Sequence, residues 1–189
     1  MTNEDPIVIV AAARTPLGRF QGALAPVPAP ALGALALREV LQRAGIDAAR
    51  VDEGFMGCVL PAGTGQAPAR QAMRAAGVPD AAGATTVNKV CGSGMKAVML
   101  AHDVLRAGSA DVVLAGGMES MSNAPYLLAK ARGGYRYGHD RLYDHAALDG
   151  LEDAYEAGRP MGDFGEAAAQ AYGFDRVQQD AYAMRTLQR

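Results

Sequence analysis

The chain has 189 residues, half of them hydrophobic, with 18 Lys and Arg against 20 Asp and Glu for a net charge of -2. That supplies a core for one domain, or for one domain and part of another, and near neutrality without a run of either sign excludes polyanions: neither nucleic acid nor a membrane is an expected partner. The opening MTNEDPIVIVAAARTP lacks the basic start and long apolar stretch of a signal peptide, and no apolar run is long enough to span a bilayer, so a soluble cytoplasmic protein is expected.

In chain order, Ile7–Ala12 (IVIVAA) is a short, β-branched apolar run, which predicts a strand buried on both faces of a parallel sheet. From Pro30, the apolar positions Leu32, Leu35, Val40, Leu41 and Ala44 fall on helical spacing, and Gly45 stands where a helix ends. Phe55–Leu60 predicts a second strand and Ala67–Ala76 a helix closed by Gly77 and Pro79. Thr85–Val90 predicts a third strand, Gly92–Ala107 a helix ending at Gly108, and Asp111–Ala115 a fourth strand. Strands alternating with helices imply right-handed βαβ units, hence an α/β fold with a doubly wound, mainly parallel sheet and helices on both faces. After Gly116-Gly117 the pattern breaks. Residues 118–165 hold five of the seven tyrosines, three of the nine methionines and no long strand, which reads as an irregular inserted region. Asp175 and Gln178 form a capping pair for a last helix with Val177, Ala181 and Met184 as its apolar positions.

The chemistry concentrates at Cys91, where the third predicted strand gives way to a helix start. A free thiol is only a few per cent ionised at neutral pH, and the unpaired N–H groups of a first helical turn favour the thiolate. From position alone Cys91 reads equally as a nucleophile and as a small core residue. Gly92 and Gly94 around Ser93 allow either close ligand approach or tight helix-on-sheet packing. Gly92-x-Gly94-x-x-Ala97 also fits a dinucleotide pattern, but on the third βα unit rather than the first, and the esterase elbow G-x-S-x-G fails because Cys91 stands two before Ser93.

Of the three histidines, His102 lies 11 residues along the same helix from Cys91, about 16 Å away, and reads as a partly buried helix residue. His139 and His145 fall in the irregular region and read as surface residues. Cys58, inside a predicted strand, reads as core; no C-x-x-C spacing joins it to Cys91, so neither a metal site nor a disulfide is indicated. Met118, Met121 and Met161 read as core filling or as the lining of an acyl pocket.

VNKVCGSGMKA at 87–97 and AGGMESMSNAPY at 115–126 resemble the thiolase family, the acetyl-CoA acetyltransferases and 3-ketoacyl-CoA thiolases. ARTPLGRFQGAL at 13–24, LPAGTGQAPARQAMRAAGVP at 60–79 and DGLEDAYEAGRPMG at 149–162 follow the family in family order. The resemblance implies a thiolase-like layered fold, with 1–117 as an N-terminal α/β core whose last strand is missing and 118–189 as the beginning of a loop domain. It implies acyl transfer with coenzyme A and acyl-CoA as substrates and no bound cofactor. Cys91 becomes the nucleophile that carries the acyl group, its backbone N–H an oxyanion donor, Leu151 a coenzyme A contact and Met161 a pocket residue. A homodimer or homotetramer is implied.

The chain departs from the family in two ways. The Gly-His-Pro and Cys-x-Gly-Gly-Gly segments that carry the family's base and second proton-transfer group are absent, which leads to the expectation of an N-terminal piece, inactive and poorly stable alone. Pro160 stands where the short-chain biosynthetic branch has a histidine, leaving the subtype open. The alternatives are a ketoacyl-ACP-synthase-type condensing enzyme, against which the GGMESMS stretch argues, and a non-catalytic fragment serving as an oligomerisation partner.

Overall fold

The structure, a computed structural model, describes residues 7–189; residues 1–6 of the N-terminal stretch lie outside the described residues. Helix α1 (Ala29–Ala44) has proline in its first turn, where no N–H is required, and ends at Gly45 in the left-handed conformation. Strand β1 (Glu53–Gly57), helix α2 (Pro68–Ala75), strand β2 (Gly83–Val87), helix α3 (Ser93–Arg106) and strand β3 (Val113–Gly117) follow. β1 lies between β2 and β3, all parallel, with Phe55 opposite both Thr85 and Ala115.

Alternation along the strands then assigns the faces. Met56 and Leu114 join Leu37 and Leu41 of α1 and Ala72 and Met73 of α2 in one core. Phe55 packs on the other face with Ala97 and Ala101 of α3, backed by Val87, Val113 and Ala115. The expected parallel α/β sheet with helices on both faces is thus present.

The strand ends differ from expectation, and the hydrogen bonds give the reason. β1 stops at Gly57 rather than Leu60 because the N–H groups of Val59 and Leu60 donate to the Glu119 carboxylate, at 2.8 and 3.0 Å, not to a neighbouring strand. β2 stops at Val87 because the Asn88 side chain accepts from the Val90 N–H and turns the chain. β3 starts at Val113 and runs through Gly116-Gly117, because Asp52 caps the N–H groups of Asp111 and Val112 while the glycines pair with Met56 and Gly57.

Ile7–Ala12 is not a strand. None of the described strands pairs with it, Val8, Ile9 and Val10 are exposed, and the Arg43 guanidinium donates to the Ala12 carbonyl. A β-branched run becomes a buried strand only where a ladder satisfies its backbone.

Beyond β3 the described chain is irregular, as expected. β4 (Tyr126–Leu127) and β5 (Tyr143–Asp144) form a two-residue antiparallel pair, and a π-helical turn spans Ala147–Leu151. Helices α4 (Met161–Tyr172) and α5 (Arg176–Gln188) close it. The Asp175–Gln178 capping box forms, but Val177, Ala181 and Met184 of α5 stay exposed. No described helix is long and apolar enough to cross a membrane.

The two bonds to Asp52 hold its carboxyl below the usual aspartate value, the Val112 N–H being the larger cause and the Asp111 N–H the next. A folded-state value below the unfolded one stabilises above the unfolded value of about 3.8 and fades as pH falls through the folded value. Asp52→Ala is expected to lower the urea midpoint at pH 7, with the gap to wild type closing on acidification below about pH 4.

Candidate active site

The turn from β2 into α3 is built by short polar side chains. Val90, a β-branched residue, sits at φ +46°, a conformation that costs about 1–3 kcal/mol and persists only where neighbours enforce it. Asn88 Oδ1 accepts from the Val90 N–H at 2.9 Å, and the Asn88 amide donates to the Val59 carbonyl at 3.4 Å. Ser93, only 4% exposed, accepts from the Lys89 N–H at 2.8 Å and donates to the Val90 carbonyl at 2.6 Å. The Ser93 N–H reaches that carbonyl too, and the Gly92 N–H reaches Lys89. These bonds use the N–H groups of Lys89, Val90, Gly92 and Ser93 and leave that of Cys91 out.

Cys91 is exposed at the crest of this turn, at the N-terminal end of α3. The helix start approaches the sheet through glycine. A Cβ on Gly57 would fall 2.7 Å from the Ser93 Cβ and 2.8 Å from the Gly94 nitrogen, and Gly94 lies against Gly117.

Cys91, Val90 and Ser93 line a cavity of about 540 Å³ that the segment Ala13–Phe20 also lines. The chain that follows this segment is tied down: the Asn123 amide donates to the Ala25 and Val27 carbonyls, and the Gln21 N–H donates to Ser122 Oγ. The stretches 13–24, 87–97 and 115–126, distant in sequence, therefore surround one space.

Glu119 also lines this cavity, and besides the two N–H bonds that end β1 it takes a 3.7 Å contact from Cys58 Sγ. Cys58 is 1% exposed, a core residue as expected. Burial first, and then the Glu119 charge and hydrogen bond, push its thiol up to about 11. The two cysteines are expected to differ sharply towards iodoacetamide at pH 8, Cys91 alkylating and Cys58 not, as peptide mass mapping would read out. Because the Cys58 value is raised on folding, its contribution to stability is complete below the unfolded value of about 9 and is lost as pH climbs through about 11. Wild type is expected to lose stability relative to Cys58→Ala across that window.

The histidines fall differently from expectation. His145 is not a surface residue: it is 5% exposed, its Nδ1 is 2.6 Å from Asp149 Oδ2, and its Nε2 accepts from the Ala62 N–H at 3.4 Å. An acceptor at Nε2 requires the proton at Nδ1, facing the carboxylate. His102 is exposed beside Asp103 rather than partly buried, since its helix position faces away from the sheet; His139 is exposed.

Of the methionines, Met118, buried beneath Gly33, and Met121 both line the cavity. Leu151 ends the π turn and Met161 opens α4; both are exposed and neither lines the cavity beside Cys91. Among the described residues no cluster of His, Cys, Asp and Glu could hold a metal ion.

Sequence reasoning passed over Ser93, Glu119 and the His145–Asp149 pair. A serine between two glycines, a lone acid after an apolar strand and a His/Asp pair at i, i+4 were the available signals.

The family model described as thiolase, N-terminal domain, matches residues 7–189. The chain belongs to the thiolase family. It is 50% identical over 97% of its length to an acetyl-CoA acetyltransferase of Pseudomonas aeruginosa, covering 46% of that protein. It is 51% identical over 99% of its length to acetyl-CoA acetyltransferase 2 of Arabidopsis thaliana, again covering 46%. A third relative, the acetyl-CoA acetyltransferase of Schizosaccharomyces pombe, is 48% identical over the whole chain, which covers 47% of it. The chain thus spans about half the length of these thiolase relatives.

Proposed function

We propose that this chain carries the nucleophile of a thiolase-type acyltransferase and that Cys91 holds the acyl group as a thioester. The observation that supports this reading is one exposed cysteine on a strained turn at a helix start, on the rim of a cavity and with its own N–H outside the turn's hydrogen bonds. The Cys91 thiolate attacks the carbonyl of acetyl-CoA, and the tetrahedral intermediate expels the coenzyme A thiolate, which takes up a proton and leaves S-acetyl-Cys91. The carbanion of a second acetyl-CoA then attacks that thioester, forming the carbon–carbon bond of acetoacetyl-CoA and releasing the Cys91 thiolate. Run backwards, the same steps cleave a 3-ketoacyl-CoA. The Cys91 N–H donates to the oxyanion formed in each attack.

Leu151 contacts coenzyme A and Met161 the acyl group, both within a loop domain that opens at residue 118. The base and the second proton-transfer group belong to the half of the relatives that this chain does not span, and the working assembly is a homodimer or homotetramer.

The test is transfer of radiolabelled acetyl from acetyl-CoA to the purified chain, with and without the complementary C-terminal half of the Pseudomonas relative. Label on Cys91 in the reconstituted sample, lost in Cys91→Ala, is the expected result. A folded mixture that leaves Cys91 unlabelled sinks the reading and favours the non-catalytic partner.

A further inference from the structure

We infer that Ser93 is a positioning residue for the nucleophile: its hydroxyl clamps Val90 in the left-handed conformation and so holds Cys91 at the cavity rim. Within the thiolase reading, on which this rests, Ser93 touches neither acyl group nor coenzyme A and acts through the backbone.

The clamp has two ends. Ser93 Oγ accepts from the Lys89 N–H, in the peptide unit before Lys89, and donates to the Val90 carbonyl, in the unit after Val90, so that one hydroxyl spans Lys89 and Val90. A β-branched residue at φ +46° relaxes to negative φ unless both units are held, because its Cβ methyls crowd the backbone there. Asn88 holds the Val90 N–H and the Gly92 N–H holds the Lys89 carbonyl, both in the unit before Val90; on the unit after it the Ser93 hydroxyl shares the Val90 carbonyl with the Ser93 N–H, and it alone ties that unit back to the Lys89 N–H. The serine is also wedged: it is 4% exposed, and its Cβ fills the space that the missing side chain of Gly57 leaves. Rotation of the Val90 peptide would carry Cys91, the next residue, off the start of α3 and away from the cavity that Val90, Cys91 and Ser93 share.

The strain at Val90 makes the idea testable, since glycine adopts positive φ without cost and needs no clamp. The rate of Cys91 alkylation by iodoacetamide is measured from pH 6 to 10 in wild type, S93A, V90G and V90G/S93A, with buried Cys58 as an internal control for unfolding. S93A is expected to slow Cys91 about tenfold at every pH, while V90G/S93A stays within about threefold of V90G. Equal penalties for S93A in the two backgrounds overturn the inference, because a merely packing role would not depend on the residue at position 90. Should S93A not fold, recovery of a folded chain in V90G/S93A supports the clamp and failure of both variants overturns it. Acetyl transfer is scored separately. A coupled alkylation response with no acetylation of wild type leaves the clamp standing and the acyltransferase reading fallen, and acetylation with additive variants does the reverse.

Discussion

Gly57→Ala is expected to cost about 1–3 kcal/mol and to slow alkylation of Cys91 in the same variant. The added methyl would lie 2.7 Å from the Ser93 Cβ and 2.8 Å from the Gly94 nitrogen, and neither is the free end of a flexible side chain. The strand cannot yield, because β1 is paired on both sides, so the displacement falls on the start of α3 and the turn that carries Cys91. Gly117→Ala is the control. There the new methyl stands 3.5 Å or more from its neighbours, ordinary van der Waals contact, and little change is expected. Urea midpoints and iodoacetamide rates for the two variants check the contrast; a tolerant Gly57 would mean that the helix start does not rest on the sheet as described.

Met73→Ala is the second large effect, about 2–5 kcal/mol by removal of a fully buried side chain. Met73 lies between α2 and β1, and its sulfur occupies the place that a side chain on Gly54 would take. Gly54→Ala alone is therefore also destabilising, by overpacking. The pair should not add: with the thioether gone, the methyl at position 54 fills part of the cavity, and the double variant is expected to be more stable than the sum of the single losses predicts. Additive denaturation energies would place the two residues out of contact.

Neither effect was visible in the sequence, although both partners were. Gly54 stands just before the predicted strand Phe55–Leu60 and Gly57 inside it, and what a glycine avoids depends on the helix that the chain later lays over it. His145 is similar: its buried contact with Ala62 spans 83 residues, and no local pattern encodes it.

Elements whose cause is local were legible in the amino-acid order. The helix ends at Gly45 and Gly108 and the Asp175–Gln178 capping box follow from one residue's φ or one side chain's reach, and the βαβ alternation follows from hydrophobic period. The motif around Cys91 and the family resemblance were legible for the same reason, as contiguous stretches. Where strands stop and what surrounds the thiol depend on contacts between distant segments. β1 ends where Glu119, some 60 residues on, takes its N–H groups, and the cavity forms because Asn123 and Ser122 tie the segment before α1 to the loop after β3. Ile7–Ala12 makes the same point in reverse. Its apolar, β-branched run has every local property of a strand, yet a strand is a pairing between segments, and none of the described strands pairs with it.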